Sequence, residues 1–85
     1  MLKIKRSSNG QVIFTLSGRM AAEHVQELKT LFESEAGIRP IVLDLKDLTL
    51  VDRDTVRFLK YCQTERIRLK NCPAYIRYWI KRERV

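Results

Sequence analysis

Hydrophobic and polar residues alternate along the first part of the chain, which is the period of a β-strand. Leu2 and Ile4 alternate with lysines, and the segment 12–17 alternates in the same way. The intervening segment 7–10 contains two serines, an asparagine and a glycine, which are residues typical of turns. The pattern therefore predicts an antiparallel β-hairpin.

Helical spacing replaces the alternation after Gly18. Apolar residues then recur at helical intervals, with charged residues on the other side: Ala21, Val25, Leu28, Leu31 and Phe32. This spacing predicts an amphipathic helix. Gly37 is suited to end it, because glycine readily adopts the left-handed conformation found after helix C-termini.

A buried strand and a second helix are predicted next. Residues 41–45, directly after Pro40, are apolar at three successive positions, which is typical of a central strand covered on both faces. We expect a loop over 46–51, and then Asp52 as the N-cap of the helix. The apolar residues of this helix lie at helical spacing: Val56, Phe58, Leu59 and Cys62.

The last predicted strand is short and highly charged. Ile67 and Leu69 alternate with Arg66, Arg68 and Lys70, a composition that suits the edge of a sheet. The segment 71–73, Asn-Cys-Pro, is typical of a helix start. The helix that follows is expected to dock on the sheet through an apolar stripe made of Ile76, Trp79 and Ile80.

The predicted order of elements is β-β-α-β-α-β-α. Strands joined by helices run parallel as a rule, so the expected fold is α/β, with a four-stranded mixed β-sheet and three helices. A chain of 85 residues has room for one hydrophobic core. We therefore expect a single domain over residues 1–85.

The net charge of +7 is concentrated in the last third of the chain. Basic and acidic residues balance up to Asp52, whereas ten basic side chains face three acidic ones from Arg53 onward. Such asymmetry indicates an acidic partner, which could be a protein, a nucleic acid or an anionic lipid. No apolar stretch is long enough to cross a bilayer, so we expect a cytoplasmic protein without a membrane partner.

Nothing in the sequence favours catalysis. No nucleophile, phosphate-binding or metal-binding motif is found, and His24, the sole histidine, lies among polar residues where we expect it to be solvated. Asp44 and Asp52 suit structural roles in a strand and a helix cap. Cys62 and Cys72 lack the spacing of a metal or redox pair and are expected to be reduced. We expect no cofactor, no metal and no enzymatic activity.

Three segments stand in an order that resembles the STAS family, the domain of bacterial anti-sigma-factor antagonists and of sulphate-transporter tails. They are Leu-Ser-Gly-Arg at 16–19, Ile-Val-Leu-Asp-Leu at 41–45, and Leu-Thr-Leu-Val-Asp at 48–52, the last running directly into a helix. The similarity extends from the hairpin to the start of the last helix. It implies a regulatory, protein-binding function.

In the family, the aspartate is followed by a serine that a partner kinase phosphorylates. Arg53 stands at that position here, so the resemblance implies a docking surface that lacks the usual switch. Thr55 is the nearest candidate for phosphorylation. The implied partner is an anti-sigma factor or a related signalling ATPase, and the implied contact residues lie at the start of the second helix: Asp52, Arg53, Asp54, Thr55, Arg57 and Lys60.

Other functions remain open at this point. Arg53, Arg57, Lys60 and Thr64 fall on one helical stripe, and such a stripe is often an ordinary solvated face. The last helix mixes Tyr75, Tyr78 and Trp79 with arginines and lysines, a composition that can also bind nucleic acid. A homodimer formed through an exposed sheet edge is a third alternative.

Overall fold

The described residues form a mixed sheet with helices packed against it. A computed structural model describes residues 1–35, 40–65 and 67–83. The strands lie in the order β1-β2-β3-β4. The elements are β1 (Leu2–Ser8), β2 (Val12–Met20), α1 (Ala22–Glu35), β3 (Ile41–Val51), α2 (Arg53–Thr64), β4 (Arg68–Lys70) and α3 (Ala74–Arg82). The predicted fold class and the predicted order of elements are confirmed.

The pairing of the strands follows from the connections between them. β1 and β2 are antiparallel, as expected for a hairpin, and Gly10 in the connecting turn has a φ of 77°. β2 pairs with β3, and β3 with β4, in parallel. Helices join these strands, and a parallel pair requires a long connection of this kind. β3 is therefore a central strand, as its apolar sequence predicts.

One hydrophobic cluster holds the sheet and the helices together. It includes inward-facing residues of β2 and β3 and of all three helices. The rings of Phe32 in α1 and Phe58 in α2 stack within it, with centroids 5.9 Å apart. The helix residues predicted to face inward include these buried members of the cluster: Leu28, Val56, Phe58, Leu59, Cys62, Ile76 and Ile80.

One local prediction about β3 is wrong. The segment 46–51 was expected to be a loop, but β3 continues to Val51, because Leu48 and Val51 are buried and the segment pairs with the second half of β2. The cover on both faces that was predicted for residues 41–45 is confirmed at Val42 and Leu43, which point to opposite faces and are both buried. Further along the strand, Lys46 and Asp47 are exposed.

The last helix begins where the sequence predicts, directly after the segment 71–73. Pro73 occupies the N-cap position and makes no capping hydrogen bond through its side chain. Asn71 has a φ of 55° and donates a side-chain hydrogen bond to Asp44, so it joins the end of β4 to β3. The predicted helix end at Gly37, and the predicted strand residue Arg66, lie outside the described residues.

Asp52 caps two helices at once. Its Oδ1 accepts a hydrogen bond from the Thr55 amide at 2.8 Å, which is the N-cap interaction of α2. Its Oδ2 accepts one from the Ala22 amide at 3.0 Å, at the first residue of α1. Thr55 in turn donates its hydroxyl to the carbonyl of Met20, at the end of β2. These bonds fix the N-termini of α1 and α2 to one end of the sheet.

His24 contributes to the same region. Its Nδ1 accepts a hydrogen bond from the amide of Ala21, the residue before α1, at 3.0 Å. The ring is half-buried, so the predicted solvation of His24 is only partial, and its Nδ1 satisfies a free amide at the helix start. His24 and Asp52 together hold the first turn of α1.

The hydrogen bonds to Asp52 also set its acidity. Burial alone raises the pKa of this carboxyl, but the hydrogen bonds from Thr55 and from the Ala22 amide lower it more, so the net pKa lies below its ordinary value. A carboxyl with a lowered folded-state pKa stabilises the protein above its unfolded-state pKa. That contribution is lost as the pH falls through the folded-state value.

Replacement of Asp52 is expected to destabilise the fold, and the loss of stability should depend on how many of its two hydrogen bonds the new side chain can keep. At neutral pH, Asp52→Ala should lower the free energy of unfolding by about 1–3 kcal/mol, because two helix amides lose their acceptor. Asp52→Asn should cost less, because its single amide oxygen still caps one helix. Urea unfolding followed by circular dichroism measures both values.

The pH dependence provides the control. The advantage of the native chain over Asp52→Asn should be complete above pH values of about 3.9, the ordinary pKa of aspartate, and should fall away below it. Equal stability of the native chain, Asp52→Asn and Asp52→Ala at neutral pH would contradict the double cap.

Gly18 is expected to be the less replaceable of two glycines with positive φ. It has a φ of 95°, and an added Cβ would collide with the Met1 carbonyl oxygen, whereas a Cβ at Gly10 would meet nothing. Gly10→Ala should therefore cost about 1–2 kcal/mol, from the left-handed backbone alone. Gly18→Ala should cost more in the same urea titration. Equal costs would show that the approach of Met1 to Gly18 does not matter.

Candidate partner-binding surface

The predicted basic stripe lies on an accessible side of α2. The side chain of Arg53 is 68% exposed, and that of Arg57 is 45% exposed. Thr64 is exposed, and Lys60 is half-buried. Because residues four apart in a helix lie one turn above each other, the two arginines stand side by side, as the sequence predicts.

Two of the predicted contact residues point elsewhere. Thr55 is fully buried, and its hydroxyl is bonded to the carbonyl of Met20. A buried hydroxyl can neither touch a partner nor reach a kinase, so the prediction of Thr55 as a contact and phosphorylation residue is wrong. Asp52 is half-buried, and both of its carboxylate oxygens accept bonds from helix amides. Asp54 is exposed and remains available.

The structure brings an unpredicted residue, Glu83, against the arginines. Its Oε1 lies 2.9 Å from the Nε of Arg57 and 3.5 Å from the Nε of Arg53. The ammonium group of Lys60 donates a hydrogen bond to the main-chain carbonyl of Glu83. The Glu83 side chain is only 5% exposed, although both arginines remain open to solvent. The end of α3 is thus tied to the first two turns of α2.

This ion pair changes the acidity of its members. The hydrogen bond from Arg57 lowers the pKa of Glu83 most, burial opposes it, and the charge of Arg53 lowers the pKa further, so the net pKa lies below its ordinary value. The hydrogen bond and the charge of Glu83 raise the pKa of Arg57. Glu83 is therefore a carboxylate at neutral pH.

The expected surface is less basic than the sequence alone suggests. Glu83 offsets part of the charge of Arg53 and Arg57, and Asp54 lies close enough to raise the pKa of Arg57 as well. Counted with Lys60 and with Arg82 of α3, four cations stand against three carboxylates, those of Asp52, Asp54 and Glu83. The surface therefore keeps a small positive excess. Glu83 is the sole acidic residue after Glu65, which is the one sequence signal that could have identified it as the counter-charge.

A groove lies beside the ion pair, between the start of α2 and the end of α3. It has a volume of about 400 Å³ and is lined by Arg53, Tyr78, Trp79, Arg82 and Glu83. Arg82 donates a hydrogen bond to the Tyr78 hydroxyl at 2.7 Å, and its guanidinium lies 5.4 Å from the centre of that ring. The groove therefore combines aromatic surface with two arginines.

The three aromatic residues of α3 have different environments. Trp79 is partly buried against the core, and the Tyr75 hydroxyl donates to the carbonyl of Thr49 at 2.6 Å. Tyr78 is exposed. Of the residues expected to stack on bases in the nucleic-acid alternative, Tyr78 is thus the most accessible.

The two cysteines are less acidic than ordinary thiols. Burial raises the pKa of the Cys62 thiol to about 12, and burial also raises the pKa of Cys72, so neither is a ready thiolate. Both cysteines are free. Among residues 1–35, 40–65 and 67–83, no group of His, Cys, Asp or Glu could hold a metal ion, and no helix has the length and apolar character needed to span a bilayer.

The two arginines should affect the acidity of Glu83 unequally. Arg57 is the closer of the two, so we expect Arg57→Gln to raise the pKa of Glu83 more than Arg53→Gln does, and both variants to raise it above that of the native chain. An NMR titration of the Glu83 side-chain carboxyl measures all three values. A larger rise in Arg53→Gln, or no rise in either variant, would contradict the geometry.

Comparison with known proteins adds no relative from which a role could be transferred. No family model matches the chain. No curated protein matches it in sequence either. Membership of the STAS family therefore stays a prediction from the three segments in which the resemblance was found, and the surface around Arg53 and Arg57 has to be interpreted from its own chemistry.

Proposed function

We propose that this chain is a non-enzymatic regulatory module that binds an acidic region of a protein partner through the first half of α2 and the adjoining end of α3. Arg53, Arg57 and the exposed Asp54 form the centre of this surface. The N-cap hydrogen bond of Asp52 holds the first turn of α2, which carries this surface. The proposal includes a cytoplasmic location, where two free cysteines would stay reduced.

The observation that carries the proposal is the exposure of two arginines on a firmly held helix start. Their backbone is fixed by the Asp52 cap and by the bond from Thr55 to β2. Arginine is the side chain best suited to bind carboxylates, because its planar guanidinium offers paired donors. A rigid backbone reduces the entropy lost on binding.

The resemblance to the STAS family suggests the class of partner. An anti-sigma factor or a related signalling ATPase would bind this end of α2, and the contact would persist without a phosphorylation step. Arg53 has no hydroxyl, and Thr55 is buried. Such a module would act by binding its partner and remaining bound.

Affinity capture from the cells that produce the protein tests the proposal. We expect the tagged native chain to retain a specific protein, identified by mass spectrometry. The variant Arg53→Gln with Arg57→Gln should retain at most about a tenth as much, since it lacks the charge-assisted hydrogen bonds to the partner. Glutamine is chosen because it removes both charges without placing further carboxylates beside Glu83.

The matched control is Lys3→Gln with Lys5→Gln, which removes the same charge from exposed positions on β1. This variant should capture the partner as the native chain does, and circular dichroism should show that both variants are folded. Equal capture by the two double variants would contradict the proposed surface. Loss of capture in the β1 variant alone would indicate an interface at the sheet edge, which is also where the alternative of a homodimer places its contact.

Nucleic-acid binding is the second candidate, and the exposed Tyr78 with Arg82 over its ring is the observation that favours it. It predicts that a labelled single-stranded oligonucleotide binds at low salt, and that log affinity falls linearly with log salt concentration. Tyr78→Ala should then weaken binding by about 1–3 kcal/mol, the usual value of one stacked base. An absence of binding at low ionic strength would eliminate this candidate.

A further inference from the structure

The ion pair at the end of α3 has the form of an occupied binding site. Two guanidinium groups, from Arg53 and Arg57, approach the same oxygen of one carboxylate, that of Glu83. Arginine and carboxylate groups are geometrically matched and bind through charge-assisted hydrogen bonds. The structure thus shows which ligand chemistry this pair of arginines accepts, because a carboxylate already lies there.

The members of the pair differ sharply in accessibility. The carboxylate is almost completely buried, whereas the Arg53 side chain is 68% exposed. A guanidinium offers five N–H donors, and one carboxylate oxygen uses few of them. The exposed sides of both arginines therefore remain open to a second anion, which could first join Glu83 and then replace it.

Glu83 is held by few interactions other than those with α2. It follows the last residue of α3, its backbone is extended, and its amide donates to the carbonyls of Trp79 and Ile80. The last turn of a helix is commonly among the least stable parts of a fold. The backbone bonds of Glu83 lie within this last turn, so its displacement is expected to begin at the end of α3.

The neighbouring groove can accommodate the peptide residues on either side of an incoming carboxylate. Tyr78 and Trp79 supply aromatic surface, and Arg82 supplies a further cation. A glutamate-rich peptide fits this combination, since its carboxylates can contact Arg53, Arg57 and Arg82 while its methylene groups lie on the rings. Charge complementarity thus identifies one occupant, an acidic peptide segment.

We propose that Arg53 and Arg57 form a carboxylate-binding site that Glu83 fills in the free protein, and that an acidic peptide segment of the partner displaces Glu83 to bind. The inference rests on the proposed function. It adds the ligand that the surface binds and the competition that regulates this binding. Glu83 is an internal competitor that weakens binding of carboxylates until a partner offers several at once. Partners with an isolated carboxylate are thereby excluded.

A blocked hexaglutamate peptide is the probe, titrated into each variant by isothermal titration calorimetry at low ionic strength. Glu83→Gln should bind the peptide at least about tenfold more tightly than the native chain, because the competitor is gone and the arginines remain. Glu83→Gln combined with Arg53→Gln and Arg57→Gln should lose this gain. Glu83→Asp, which keeps the charge but shortens the side chain, should lie between the native chain and Glu83→Gln.

Glu35→Gln is the matched control. Glu35 pairs with Arg6, so its replacement removes one negative charge and frees one arginine at a distant place. We expect its affinity for the peptide to stay within about threefold of the native value, as befits an exposed ion pair. Equal gains in Glu83→Gln and Glu35→Gln would show a general effect of net charge and would overturn the proposal.

Three further outcomes would overturn it. They are peptide binding by Glu83→Gln no tighter than that of the native chain, no peptide binding by any variant, and a gain for a single-stranded oligonucleotide without a gain for the peptide. If Glu83→Gln does not fold, Glu83→Asp alone decides between tighter and unchanged binding. Failure here leaves the capture experiment with Arg53→Gln and Arg57→Gln unaffected, so the two proposals can fail separately.

Discussion

The carboxylate of Asp52 connects parts of the molecule that are far apart in sequence. One of its oxygens caps α2, the other accepts the first amide of α1, and β3 ends one residue before it. Thr55, one turn into α2, bonds to the end of β2. The first amides of a helix have no partner within the helix, and here one side chain provides an acceptor for two helices. The direction in which α2 leaves the sheet follows from this arrangement, and with it the positions of Arg53 and Arg57.

A helix start is an unfavourable place for two cations, because the helix dipole is positive there. The chain offsets this with three carboxylates, of Asp52, Asp54 and Glu83, and each has a different exposure. The carboxylate oxygens of Asp52 accept hydrogen bonds from backbone amides, Asp54 is exposed, and Glu83 is buried against the arginines. Only Glu83 comes from another element. The balance of charge at this surface therefore depends on how α3 packs on α2, and a ligand that alters it must compete with Glu83.

Most of the fold could be predicted from periodicity, and most of the site could not. The hairpin, the three helices and the central strand follow from local spacing of apolar residues. The sequence was misleading where tertiary pairing decides the structure, as in the second half of β3. There the exposed polar residues are interrupted by the buried Leu48 and Val51, and pairing with β2 extends the strand. Asp52 was predictable as a cap of α2, but its bond to Ala22 joins residues 30 apart. The position of Glu83 depends on the packing of α3 on α2, which no local pattern encodes. Thr55, in contrast, lies one helical turn before Phe58 and Leu59, so its burial follows from the helical spacing.

Hydrogen exchange measured by mass spectrometry, with and without the captured partner, tests most directly whether this end of the molecule is where binding occurs. Amide protection is expected to increase in the first two turns of α2 and in the last turn of α3, around Glu83, with β1 and β4 unchanged. Protection confined to β1 or β4, with the start of α2 exchanging as in the free protein, would contradict the account.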